Sequence, residues 1–436
     1  MTAEVPVPGT VGPAVGTGAG TAVGAGTAVG TGARPARRDV VTTVLLVQYL
    51  LAFTGFYAAT PVLAVLLRDR LPAAGAVVGI ALLVFSLSSR AGSIVLSPWL
   101  ASRPGVRILT VTNTLTALGF VGVAVLPVGP LVGCLFCAGV GVSVNGLIVR
   151  STLAARAPDQ ETRLRVFARL NVLLNVAAAV GPMLGPSLYR SGAAWRVFAP
   201  VVGLYALAAV AVGSVARRVS APGAVRRHSL RAYVRLLGAS RYMRHLMVST
   251  ALGWFLYAQL FSALPLYLFS VSGSSVRAAT YFTLDAILVI TLQIPVSRLV
   301  ARWLAPGRNP VGVLLTGVAT LAAALAVVGA SGGNSWVLYA AVAVFAVGEP
   351  IFTPTADIAF AGVADGQGEQ FVGAFTGKQV SVALGESLGA FTGAAGYLFV
   401  VHHTGSGVAF WLAVSGAGLF ACALLAARRV EPHAAA

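Results

Sequence analysis

Residues 217–245 read RRVSAPGAVRRHSLRAYVRLLGASRYMRH, with eight arginines and no acid. They sit in a chain of 436 residues that is 57% hydrophobic and 10% charged, with mean hydropathy +0.87. Apolar segments of about 20 residues recur on either side, each enough to cross a ~30 Å hydrocarbon core as a helix. Six precede the basic stretch, at 40–67, 73–100, 107–127, 130–153, 166–189 and 194–216. Six follow it, at 246–269, 278–301, 311–330, 336–361, 375–400 and 407–427. A spanning segment must satisfy its backbone internally, so helices are expected. The alternating strands of about ten residues that a membrane barrel needs are not seen.

An ordinary soluble domain carries about 25% charged residues. The 12 acidic and 30 basic residues here are too few to clothe a water-soluble fold of this size. That excludes a typical cytosolic enzyme, a disordered chain and a secreted disulfide scaffold. Cys134, Cys137 and Cys422 all lie in apolar stretches, so no disulfide framework is implied. The net charge of +18 is explained by topology. With the N-terminus inside, 24 of the 30 basic residues fall on the cytoplasmic side, and Arg68, Arg70, Arg190, Arg196 and Arg277 fall outside. Both termini are therefore expected in the cytoplasm, and nucleic acid is not expected as a partner. The organisation reads as a disordered cytoplasmic tail over 1–38, rich in Gly, Ala, Thr and Val. A first bundle over 39–216, a basic linker over 217–245, a second bundle over 246–428 and a tail over 429–436 complete it. The linker's second part could also lie on anionic lipid as an amphipathic helix.

The halves repeat weakly. A shift of 204 places Pro61 on Pro265, and Gly181-Pro-Met-Leu-Gly185 on Gly385-Glu-Ser-Leu-Gly389. A shift of 199 places Leu100-Ala-Ser-Arg103 on Leu299-Val-Ala-Arg302. Repeats of this kind put substrate sites near the midplane, at the repeat interface.

Two motifs sharpen this. Pro98-Trp-Leu-Ala-Ser-Arg-Pro-Gly-Val-Arg107 joins the second and third segments. Ala177-Ala-Ala-Val-Gly-Pro-Met-Leu-Gly-Pro186 lies in the fifth. With Ala157-Pro-Asp-Gln-Glu-Thr-Arg163, Ile294-Pro-Val-Ser-Arg298 and Glu349-Pro350, they make residues 40–428 resemble the major facilitator superfamily, and its bacterial drug–proton antiporters in particular. The resemblance implies an all-α membrane protein with twelve transmembrane helices in two pseudo-symmetric six-helix bundles. It implies residence in a bacterial cytoplasmic membrane and a gating role for Arg103, Gly105 and Arg107. Ser102 stands where the family has an Asp of a cytoplasmic charge network, which puts that network in question here. The fifth-segment motif has physical content of its own. Gly181 and Gly185 share a helical face extended by Ala177, and small residues admit a close neighbour. Pro182 and Pro186 each remove a backbone donor. Such a helix suits a pivot or a seal between bundles; plain packing is the alternative.

Four acids fall within spans: Asp285, Glu349, Asp357 and Glu386. An ionised carboxylate in hydrocarbon is costly, so a retained one is a functional candidate. Asp285, Glu349 and Glu386 lie about 10, 20 and 16 Å deep at 1.5 Å per residue. They are candidates for proton coupling or substrate contact, a static pair or hydrogen bond being the alternative. Asp357, near a cytoplasmic end, reads as solvated or as part of a charge network. Arg90 either pairs with one of these acids or snorkels to the headgroups. Asn145 and Asn175 could hydrogen-bond cargo, though bonds to neighbouring helices are the plainer reading. Gln48, Tyr49, Tyr57, Trp254, Tyr257 and Gln259 could line a cavity for a flat lipophilic ligand; aromatics are otherwise membrane anchors.

Cys134-Leu-Phe-Cys137 has no second ligand pair, so no metal is expected. There is no Walker loop, HExxH or GxSxG, so neither catalysis nor a cofactor is expected. The expected activity is proton-coupled export of a lipophilic drug or secondary metabolite by a monomer, its partners being the small-molecule substrate, protons and the bilayer. The alternative is a proton-linked importer of a sugar or other small metabolite. A membrane enzyme or sensor without flux is the remaining class.

Overall fold

The computed structural model describes residues 40–71, 75–100, 104–156, 160–190, 193–215, 240–272, 275–304, 309–363 and 369–428. The expected tails over 1–38 and 429–436, Ser102 and Arg103, and most of the basic linker lie outside them. Among the described residues six helices occupy the first half: α1 (Val40–Arg70), α2 (Gly75–Leu100), α3 (Gly105–Val125), α4 (Val128–Arg156), α5 (Gln160–Leu188) and α6 (Trp195–Val215). The second half begins with α7 (Arg241–Tyr257), a 3₁₀ turn over Ala258–Leu260, and α8 (Ala263–Ser272). Then come α9 (Ser275–Trp303), α10 (Pro310–Ala330), α11 (Ser335–Val363) and α12 (Glu369–Phe391). A π-helical turn over Thr392–Gly396 leads to α13 (Tyr397–Thr404), and α14 (Val408–Ala427) ends the described chain.

Local chemistry fixes several ends. Ser240 caps α7 by accepting a 3.0 Å bond from the Met243 amide. Arg241–His245, expected in the linker, therefore form the first turn of α7, because the cap sits five residues earlier than the apolar pattern suggests. Asn309 accepts from the Val311 amide at 3.0 Å with Pro310 in the first turn, a combination that starts a helix without a wasted donor. Gly405 ends α13 at φ +71, where a side chain would be strained.

Among the described residues, eleven helices or consecutive helix pairs are long and apolar enough to cross a membrane. In α5 the apolar run is Val172–Leu188, because its first turns carry the charged stretch seen in the sequence. Large apolar side chains face outward, with Leu118 62% and Val210 70% exposed. The only solvent that accepts this without penalty is lipid. The chain is a multi-pass membrane protein.

The same packing recurs in each half. In the first, α1 lies on α5 and α6, α3 on α4 and α6, and α2 on α4. In the second, α7 lies on α12, α10 on α11 and α14, and α9 on α11. The halves meet mainly where α2 packs on α12 and α5 on α9.

Candidate functional site

The close helix approaches set the frame. A Cβ on Gly185 would overlap the carbonyl oxygen of Ala58, and one on Gly181 would stand 2.8 Å from the Ala58 amide nitrogen. The small-residue stripe of α5 thus grips α1 of its own half, rather than sealing one half against the other. In the second half Gly385 and Gly389 of α12 press on the backbone of α7 at Ala251 and Phe255. Pro182, on another face of α5, looks into a cavity.

That cavity, of about 50 Å³, lies where α5 meets α9. Tyr57, Asn175, Pro182, Tyr257, Asp285 and Glu349 line it together, so six sequence candidates from five helices converge there. Asp285 is 8% exposed, and its Oδ1 makes no hydrogen bond among the described residues. Glu349 accepts one long bond, 3.4 Å, from the Tyr257 hydroxyl. A second cavity of about 260 Å³ contains Arg90, Tyr49 and Tyr57, with Ser89, Ser93 and Arg150. A third, about 30 Å³, holds Glu386. Tyr57 is common to the first two and Phe261 to the first and third, and their rings are 6.5 Å apart across the halves.

Arg90 on α2 meets Glu386 on α12, with Nε 2.7 Å from Oε2. The two charges are in direct contact, although Nε and Oε2 are poorly aligned for a hydrogen bond. The guanidinium also stands 5.5 Å from the Trp254 ring centroid, within cation–π range. Asp357, 51% exposed, pairs with Lys378, the one lysine of the chain.

Other candidates lie elsewhere. Gln48, a cavity candidate from sequence, and Asn145, whose plainer reading was a bond to a neighbouring helix, are fully buried and bonded to each other and to Asn113. The Gln48 carbonyl accepts from Asn113 and Asn145 at 3.2 Å each, and Asn145 donates to Asn113 at 2.6 Å. This ties α1, α3 and α4 together and leaves little capacity for cargo. Gln259 is likewise turned into packing: its amide donates to the Phe255 carbonyl at 3.0 Å and the Gly389 carbonyl at 3.1 Å, bridging the 3₁₀ turn to α12. Gly105 is buried against Thr152 and Ile148, and Arg107 is exposed.

Sequence reasoning passed over Asn113, although a lone amide in an apolar helix is the same signal that marked Asn145. It also passed over Phe261, Ser93 and Arg150. At the end where α1 terminates, Tyr189 donates to Asp69 at 2.5 Å and its ring packs 5.7 Å from Phe269. There too a Cβ on Gly79 would stand 2.7 Å from Ala395, so α2 and the π turn touch closely. Tyr189 lies just past α5; burial pushes its phenol well above the ordinary range, and the Asp69 carboxylate adds to the shift. Among the described residues no three His, Cys, Asp or Glu side chains converge as metal ligands.

The comparisons agree with this architecture. A model of the Major Facilitator Superfamily matches residues 45–386. Multidrug resistance protein MdtH of Salmonella paratyphi B is 25% identical over 375 residues, 83% of this chain and 87% of that protein. The protein of the same name from Salmonella newport matches to the same extent. Among solved structures, the peptide transporter POT in complex with sulfate superposes with TM-score 0.72 at 14% identity, covering 89% of this chain and 94% of that one. The POT family transporter PepTSo gives 0.69 at 14%, covering 89% and 97%. The chain belongs to the major facilitator superfamily.

Proposed function

We propose that this superfamily member is a proton-coupled secondary transporter that exports lipophilic drugs or secondary metabolites by alternating access. The observation that carries the reading is the cavity between α5 and α9, where Asp285 is buried and Glu349 half-buried, with almost no hydrogen-bond support. Carboxyls kept in such a place at the junction of two repeats suit proton uptake and release. Arg90 and Glu386 bridge the same junction and act as substrate or coupling groups, with Tyr57, Tyr257 and Asn175 beside them. On this reading α5, with its apolar run, is the fifth of twelve spans, and two six-helix bundles rock about the gripped pairs α1–α5 and α7–α12. Gly181, Pro182, Gly185, Pro186, Gly105 and Arg107 act in that motion. The basic excess on one side supports cytoplasmic termini in a bacterial cytoplasmic membrane, and the likeness to multidrug resistance proteins supports export. A monomer suffices, since the cavities lie within one chain.

The test is proton movement in acid-loaded everted vesicles, followed by a pH dye while lipophilic compounds are added. Alkalinisation of the lumen on addition is expected. An unchanged lumen across the panel would overturn export. Uptake of a small polar metabolite is the second reading, favoured by the serine and arginine lining of the larger cavity; it predicts accumulation in right-side-out vesicles instead.

A further inference from the structure

We propose that the cavity around Arg90 is a subsite for the anionic group of an amphipathic organic anion, a carboxylate on an aromatic body, which takes Arg90 over from Glu386. The inference names the cargo class of the transporter proposed above and rests on that reading.

Among the described residues two guanidiniums, Arg90 and Arg150, line this cavity, and no acid does. Cations of one sign on a half-enclosed wall raise the local concentration of anions and repel lipophilic cations. The counter-charge, Glu386, reaches Arg90 from the other half of the chain, at 2.7 Å but without hydrogen-bond alignment. Apart from the poorly aligned Glu386 contact, no acceptor meets Arg90 among the described residues, so the rest of its fork of donors is open. A planar carboxylate on the cavity side can meet that fork with two parallel bonds, which a misaligned single contact does not match. Ser93 offers a further donor: its Oγ accepts from Ser143 at 3.0 Å, leaving its own O–H to give. Phe53 and Phe56 supply apolar faces for the body of the ligand. At about 260 Å³ the cavity falls just under the ~300–1,000 Å³ typical of drug-sized ligands, which suits a bicyclic ring system. Breaking a contact between the two halves by binding cargo links occupancy to their separation.

The experiment is equilibrium dialysis of 2-naphthoate against the purified full chain in detergent, with no pH gradient. The neutral 2-naphthamide and the cationic 2-naphthylmethylammonium are run beside it, and empty micelles give the partition background. Naphthoate is expected to bind about tenfold or more tighter than either. Glu386→Gln is expected to tighten naphthoate several-fold by removing the competitor. The double variant Arg90→Gln, Glu386→Gln keeps the pair neutral and is expected to lose about tenfold or more relative to Glu386→Gln alone, with an unchanged melting temperature. Equal affinity for naphthamide or for the ammonium would overturn the proposal, as would equal affinity in Glu386→Gln and the double variant. Selective naphthoate binding without proton movement in vesicles would leave the subsite standing and remove the export reading. Proton movement driven by lipophilic cations, with no selective naphthoate binding, would do the reverse.

Discussion

Each half of the molecule buries polar side chains in its helices, and the two halves treat them differently. In the first, Gln48, Asn113 and Asn145 close a ring of mutual hydrogen bonds from α1, α3 and α4. In the second, Asp285 has a buried oxygen without a partner, and Glu349 has one bond of 3.4 Å. A satisfied amide cluster fixes helix register and is rigid. A carboxyl without partners is costly to hold in place and is the group that gains most from taking up a proton or a ligand. The amide cluster of the first half is therefore committed to structure, and the carboxyl pair of the second is available for exchange.

The sharpest way to break this contrast is the double substitution Asp285→Asn, Glu349→Gln. It is expected to abolish ΔpH-driven flux in vesicles while leaving the melting temperature near that of the parent. Flux at the parental rate would erase the distinction. Next in size are the gripping glycines, where the halves should behave alike. Gly185→Val and Gly389→Val each force a branched side chain onto a neighbouring backbone and are expected to cost about 1–3 kcal/mol or more, read by thermal unfolding in detergent. A large effect in one half only would show that the packing likeness is superficial. Asn145→Leu, which orphans amides in the rigid cluster, is expected to cost about 1–3 kcal/mol while the remaining folded protein stays coupled. Loss of coupling at full stability would move the cluster into the transport machinery. Tyr257→Phe removes only the 3.4 Å bond to Glu349 and is expected to change initial flux a few-fold, about 1 kcal/mol or less. Smallest of all, Asp357→Asn breaks the solvent-facing pair with Lys378 and is expected to shift stability by about 0–1 kcal/mol.

How much of this could be read beforehand follows the physics of each signal. Helix positions were plain, because every spanning helix must be a long apolar run; the segment bounds differ from the observed helices by up to six residues, most at the polar first turns of α5 and α12. The exceptions have local causes: the Ser240 cap starts α7 early, and α7–α8 and α12–α13 are interrupted by turns that hydropathy does not register. The acids Asp285 and Glu349 stood out for the same reason that they share a cavity, namely the cost of charge in hydrocarbon. Amides were harder. Gln48, Gln259 and Asn145 carry the same sequence signal whether they face cargo or a neighbouring helix, and only the packing decides. The direction of the α5 glycine stripe was equally hidden, since a small-residue face says that something approaches closely and not which helix does.

The guanidinium of Arg90 over the indole of Trp254 gives the molecule its own optical gauge. Indole emission responds to a charge placed on its face and to water entering when that charge departs. The chain has six tryptophans, and among the described residues Trp254 is the one that stands against Arg90. A version with the other five replaced by phenylalanine would report, by colour and intensity alone and without a label, whether the two halves are latched or parted.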